Sequence, residues 1–346
     1  VLYKKETWEF AARQFTMALG GILVLLLQKR LDYKKLEHPL WVFLALAVTI
    51  ILLIGVVAAD PRAHRWYRLP GVGQFQPSEI AKPVLVLFLA WFVGRREEVI
   101  NSKYTIIPTG IVVGGLTLLI GYGDLGTAAV LLTPALAVFY VAGIDKRYFV
   151  LTLVLVAVLG LGFLFQKPYR LIRVTAYFGL TEEVINKDPK WHWLSVWVAG
   201  TKATRDREHQ PRQAKIAVGS GGVTGVGLGQ SNQKLGFLPE AHTDFIFGVV
   251  GEETGLIGCV LLLGGYLLVF WRGLRLFWLA QDSFGRYLAL GCVTVLTAQA
   301  LFNMSVVLSL APTKGIPLPL VSYGGTAMIC TLTTVGLLMS VSDRAS

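Results

Sequence analysis

Apolar runs close to twenty residues long alternate with short polar stretches along the whole chain. Nine are read, at 14–28, 40–58, 80–94, 105–121, 125–143, 148–165, 244–271, 285–309 and 320–341. Most are long enough to cross a bilayer as a helix. In lipid the backbone must satisfy its own hydrogen bonds, so the pattern predicts helices rather than loops or open sheet. A large soluble core is excluded by the repetition of spans. The expectation is an all-α polytopic membrane protein, with residues 1–346 forming a single integral membrane domain.

The polar stretches between spans set an orientation. Basic residues gather in alternate loops: Lys29, Arg30, Lys34 and Lys35, then Arg95, Arg96 and Lys103, then Lys146 and Arg147, then Arg272, Arg275 and Arg286. The positive-inside rule puts these loops and the C-terminus in the cytoplasm. Residues 1–13, 59–79, 166–243 and 310–319 then lie outside. With the N-terminus outside and Val1 in place of an initiator methionine, a further membrane helix is expected upstream, making ten. The 166–243 segment is long enough to expect a functional role. Within it, "WHWLSVWVAG" places Trp191, Trp193 and Trp197 as a helix lying in the headgroup layer would.

Composition sharpens the picture in two places. The net charge is +11, but basic and aromatic residues flank apolar spans, which suits membrane topology better than nucleic acid. The long outside segment carries an excess of basic residues, which suggests an anionic partner there. Cys259, Cys292 and Cys330 all fall inside apolar runs, so they read as small buried residues and not as a disulfide framework.

Candidate chemistry concentrates at the outer mouths of the spans. "LPEAHTDFIFGVVGEETG" (238–255) begins a greasy helix yet carries Glu240, His242, Asp244, Glu252 and Glu253. Pro239 and Thr243 announce a helix start, which puts Asp244 in the first turn, where a cap or a tuned general base is expected. Glu252 and Glu253 lie deeper, and pairing with a basic residue of the bundle is favoured over catalysis. "RWYRLPGVGQFQPSEIAK" places Arg65, Arg68, Glu79 and Lys82 at another outer mouth. Pro77 and Ser78 signal a helix start there, and Glu79 suits its first turn. Lys82 lies one turn inside an apolar helix, where an ionisable group faces a cavity or a partner. "AVGSGGVTGVGLGQSNQK" (217–234) is too poor in context for a nucleotide loop. Its glycines allow close approach to a ligand or another helix, and its N–H groups can hold a diphosphate. No zinc spacing and no Ser-His-Asp order is present.

Taken together, "FQPSEIAK", "GSGG…GVGLGQSNQK", "LPEAHTDFIFGVVGEETGLIG" and "PTKGIPLPLVSYGG" resemble the SEDS family (shape, elongation, division and sporulation), from about residue 8 to the C-terminus. The resemblance implies a ten-helix bundle, nine of whose helices are in this chain. It also implies a peptidoglycan glycosyltransferase that polymerises lipid II on the outer face of the bacterial cytoplasmic membrane, working with a class B penicillin-binding protein and other elongation or division proteins. The family's essential aspartate in "HTDFIF" matches Asp244, and its "QPSE..K" matches Gln76, Pro77, Ser78, Glu79 and Lys82. On the same footing Ser220, Gly221, Gly222, Gln233, Lys234, Glu240, His242, Thr243 and Lys314 join Arg65, Glu79 and Lys82 as candidate substrate contacts. The chain departs from the family at "GYGDLGT", where "QPDLGT" is usual, in lacking a "DPxGxGYQ" run, and in reading "HQPRQA" for "YQxxQS". "LPEAHTDFIF" and "PTKG" lean to the division type and "GIPLP" to the elongation type, which is preferred by a narrow margin.

The resemblance implies a mechanism that these residues fit. The donor sugar already carries a good leaving group, a lipid diphosphate, which needs positive charge. Arg65, Lys82, basic residues of the long segment or a divalent cation (Mg2+ or Mn2+) are the candidates; no other cofactor is implied. The acceptor hydroxyl needs a base, and Asp244 is placed to serve. Two rivals belong to other classes: a transporter that flips the lipid precursor, with Lys82, Glu252 and Glu253 along its path, and a non-catalytic scaffold for the cross-linking enzyme.

Overall fold

The computed structural model describes residues 2–60, 64–69, 73–166, 168–178, 190, 204–233, 238 and 240–345. Eleven α-helices run through them: α1 (Leu2–Arg30), α2 (Pro39–Ala59), α3 (Pro77–Gly94), α4 (Lys103–Gly123), α5 (Leu125–Val141), α6 (Lys146–Phe165), α7 (Pro168–Tyr177), α8 (Thr204–Ser220), α9 (Ile246–Leu279), α10 (Ser283–Val307) and α11 (Gly325–Ala345). Every apolar run read from the sequence has its helix. Seven of these helices are long and apolar enough to cross a membrane, among the described residues, and α5 is a shorter apolar helix. The protein is an all-α polytopic membrane protein. Trp191, Trp193, Trp197 and Lys234 lie outside the described residues.

Local chemistry explains the helix starts. His38 Nδ1 accepts the Leu40 N–H at 3.3 Å ahead of Pro39, and Ser102 Oγ accepts that of Tyr104. Proline fits the first helical position because its missing N–H has no helical partner there. Asp124 ends α4 and caps α5, accepting the Gly126 N–H at 2.9 Å. Three boundaries differ from expectation. Helix α1 begins at Leu2, not 14. Helix α9 runs to Leu279, because Arg272 and Arg275 sit on a helical extension and not in a loop. Helix α11 begins at Gly325, not 320, since residues 315–318 are irregular and 319–321 form a turn.

The chain divides into two compact units. The first comprises residues 1–151, 266–299 and 319–346. Its centre is α3, whose Leu85, Val86, Phe88 and Leu89 are buried against residues of α10 such as Leu288 and Cys292. Helix α1 packs along α11. A two-stranded antiparallel hairpin, β1 (Tyr67–Leu69) and β2 (Gly73–Phe75), precedes α3 in the register Tyr67↔Phe75, Arg68↔Gln74 and Leu69↔Gly73. Tyr67 ties it to α2 through the Leu52 carbonyl at 3.0 Å. At the opposite end Tyr33 donates to Asp282, and burial together with that carboxylate pushes its phenol above the ordinary range.

The second unit comprises residues 152–265 and 300–318. Here α7 and α8 structure part of what the sequence offered only as a long segment. Ala214 and Ala217 of α8 are fully buried. Their small side chains let α8 lie close to the start of α9, where a Cβ on Gly248 would stand 3.6 Å from the Ala214 carbonyl.

Candidate active site

In the first unit two of the predicted ionisable residues, Glu79 and Lys82, pair with each other. Lys82 Nζ donates to Glu79 Oε2 and to Gln299 Oε1, each at 2.6 Å. Both charged groups are buried, with Glu79 at 1% exposure and Lys82 at 5%. Glu79 sits in the first turn of α3 as expected, but its carboxylate serves the ammonium one turn on. The partner of Lys82 is thus a near neighbour on its own helix, not Glu252 or Glu253. Arg65 reaches Asp124 Oδ2 at 2.9 Å, while the same carboxylate takes the Thr127 hydroxyl and the Gly126 N–H. Gln299 carried no signal for this role in the sequence beyond being a polar group within an apolar run, and Asp124 stood out only as part of "GYGDLGT".

Asp244 belongs to the second unit. Helix α9 begins at Ile246, so Asp244 lies in the turn just ahead of it rather than in its first helical turn. The Thr243 hydroxyl donates to Glu240 Oε2 at 2.8 Å. Glu240 takes a positive φ of 55° and is exposed, as is His242. The Asp244 main-chain carbonyl accepts from Asn303 Nδ2 at 2.7 Å. Its carboxylate lies over Gly315, so closely that a Cβ built there would collide with Oδ2 and stand 3.2 Å from Cγ. Lys314 is next to that glycine and half-buried.

The loop bearing Lys314 and Gly315 is pinned from several sides. Tyr177 of α7 donates to the Leu310 carbonyl at 3.0 Å, and Arg173 donates to that of Thr313 at 3.4 Å. The Ser305 carbonyl, at the end of α10, accepts the Leu310 N–H at 2.7 Å. Asn303 holds the Ile316 carbonyl at 2.7 Å. The site is therefore a carboxylate at a helix mouth, set against a cation-bearing loop that is fixed by α7 and α10.

The glycine-rich stretch serves the same helix. Glu252 is buried and accepts from the Ser231 hydroxyl at 2.5 Å and from the N–H groups of Asn232 and Gln233 at 3.0 and 3.3 Å. Among the described residues it clamps this loop rather than a basic residue of the bundle, which corrects the sequence expectation for Glu252. Val226 and Gly227 donate to the Glu252 and Glu253 carbonyls, and Leu256 and Ile257 donate back to those of Gly222 and Val223. Gly221 lies against the Gly251 carbonyl with no room for a side chain. Ser220 is exposed and Gly222 is open to added volume. The backbone exchange needs Gly255, which interrupts α9 at φ 66° and ψ −162°, a region open essentially to glycine alone. Gly255→Ala is expected to cost about 1–3 kcal/mol from backbone strain, and more from the collision of its methyl with Val223 and Gly225. Thermal melting in detergent reads this directly, and an unchanged melting temperature would discard the docking role.

Among the described residues no group of three or more His, Cys, Asp or Glu gathers as a metal cage. Cys292 and Cys330 are buried as expected, but Cys259 is only half-buried.

Comparison with known proteins bears on this arrangement. The whole chain, residues 1–346, matches the FtsW, RodA and SpoVE family, described as "Cell cycle protein". A "Probable peptidoglycan glycosyltransferase FtsW" of Geobacter sp. (strain M18) is 38% identical over 341 residues, covering 97% of this chain and 87% of that one. "Stage V sporulation protein E" of Bacillus subtilis (strain 168) is 33% identical over 345 residues, covering 97% and 88%. A solved structure described as "Structural coordination of polymerization and crosslinking by a peptidoglycan synthase complex" contains a chain with a TM-score of 0.71 at 25% identity, over 97% of this chain and 90% of that one. The Thermus thermophilus rod shape determining protein RodA matches with a TM-score of 0.63 at 26% identity, over 96% and 87%.

Proposed function

The chain belongs to the FtsW, RodA and SpoVE family of cell cycle proteins, and from that premise we propose that it is a peptidoglycan glycosyltransferase that polymerises lipid II. The observation that carries the reading is the Asp244 carboxylate, held at the mouth of α9 against the loop of Lys314 and Gly315. In this reaction the acceptor hydroxyl oxygen attacks C1 of the donor sugar as the bond from C1 to the diphosphate breaks. The hydroxyl proton passes to Asp244, and the lipid diphosphate leaves with the bonding electrons. Attack opposite the leaving group gives a β-linked strand. A general base of this kind contributes about 10²–10⁴ in rate. Positive charge near the departing diphosphate stabilises it, and Lys314 is the residue assigned to it. Both substrates are tethered to the membrane, which removes much of the entropy of bringing them together.

Purified protein given labelled lipid II is expected to produce glycan strands. Movement of the lipid across vesicles with no strands formed would instead make it a transporter. We place the reaction on the outer face of the cytoplasmic membrane, with a class B penicillin-binding protein as partner, in cell-wall elongation or division. Restored rod shape in cells depleted of RodA, or restored septation in cells depleted of FtsW, separates the two roles. The orientation has its own test in a cysteine-free background. Lys34→Cys should react with an impermeant thiol reagent only from the cytoplasmic side, and Leu228→Cys, where the leucine is 80% exposed, only from outside. Labelling of position 34 from outside would invert the assignment.

A further inference from the structure

We propose that Asn303 and Gly315 are positioning residues for Asp244, an inference that rests on the reading of Asp244 as the base. Asn303 stands on α10 at 1% exposure, in a mostly apolar stretch, "ALFNMSVV". Its amide nitrogen donates one hydrogen to the Asp244 carbonyl and the other to the Ile316 carbonyl, both at 2.7 Å. Two carbonyl partners can only accept, so the amide has one orientation. Its oxygen is then directed elsewhere, buried, and without a hydrogen-bond partner among the described residues. A buried acceptor left unpaired is unfavourable. Packing alone would place a leucine or methionine here. What the amide achieves is to tie the backbone that carries Asp244 to the backbone one residue beyond Gly315.

Gly315 completes the device. Its φ does not lie in the left-handed region, so an L residue meets no backbone barrier there. The obstacle to a side chain is the Asp244 carboxylate, to which the three atoms nearest the position of a Cβ belong. Asn303 thus fixes the root of Asp244 and the strand of loop beneath it, while the bare Gly315 gives the carboxylate its seat. A base must meet its proton within hydrogen-bond reach, and a displacement of about 1 Å costs around 10²-fold in rate.

The test uses the full-length protein in detergent or vesicles, with lipid II as the probe. Gly315→Ala is expected to lower kcat about 10²-fold, with the KM for lipid II and the melting temperature essentially unchanged. Asn303→Ala should lower kcat in the same way, per folded molecule. Neither change should reduce further the residual rate of Asp244→Asn, because the group they position is already gone. A rise in KM at constant kcat, a full additional loss on the Asp244→Asn background, or normal turnover by Gly315→Ala would each overturn the proposal. So would failure of Gly315→Ala to fold, since the methyl would then be opposed by the packing of the loop and not by the carboxylate. If Asp244→Asn itself turns over normally, the assignment of the base fails, and that result is separate from these.

Discussion

Asp244→Asn is expected to abolish strand synthesis by the purified protein, a fall of about 10²–10⁴ in rate, while the protein melts at nearly its original temperature. The amide matches the carboxylate in shape but cannot take up the acceptor's proton. The structure limits what else the change can do. Helix α9 starts at Ile246, and Asp244 is held through its main-chain carbonyl by Asn303, a bond the substitution leaves intact. Were the carboxylate chiefly a helix cap, Asp244→Ala would cost about 0.5–2 kcal/mol of stability, and Asp244→Asn, an equally good cap, would cost almost nothing in either stability or turnover. Normal strand synthesis by Asp244→Asn would therefore return Asp244 to a structural role. Measuring both variants for melting and polymerisation on the same preparations separates the two readings.

The membrane helices were legible because an apolar run has only one way to satisfy its backbone in lipid. Their caps obey familiar chemistry but were not singled out in advance: Ser102 and Asp124 do what such residues do ahead of a helix. What the sequence hid was partnership. Glu252 reads as a buried acid in need of a cation, yet three donors from Ser231, Asn232 and Gln233 satisfy it. Two of those donors are backbone N–H groups, which no residue type announces. Asn303 and Gln299 are single amides within apolar stretches, and their importance lies in which distant groups they meet. The hairpin before α3 was missed because three-residue strands leave no measurable alternation. Asp244 itself was legible, since a carboxylate at a membrane mouth stands out chemically. The Gly315 seat beneath it was not, because an absent side chain marks a contact only once the fold supplies the neighbour.

Lys82→Met should melt well below the parent protein, a loss of about 3–5 kcal/mol. Methionine preserves much of the apolar stem, so the cost comes from what the ammonium leaves behind. Glu79 is buried at 1% exposure, and its Oε1 has no hydrogen-bond partner among the described residues. Its other oxygen depends on the 2.6 Å bond from Lys82. Without the cation a carboxylate is stranded inside a membrane helix, where solvation cannot reach it. Gln299 loses a donor in the same step. Replacing the pair together, Glu79→Gln with Lys82→Met, removes the unpaired charge and should recover most of the melting temperature, because neutralising both members avoids the stranded ion. Polymerisation per folded molecule then decides what the pair is for. If the double variant is stable and still makes strands, the pair is a structural element of α3. A stable double variant that makes none would place the Lys82 ammonium at the substrate, and the diphosphate charge assigned to Lys314 would have to be shared with it.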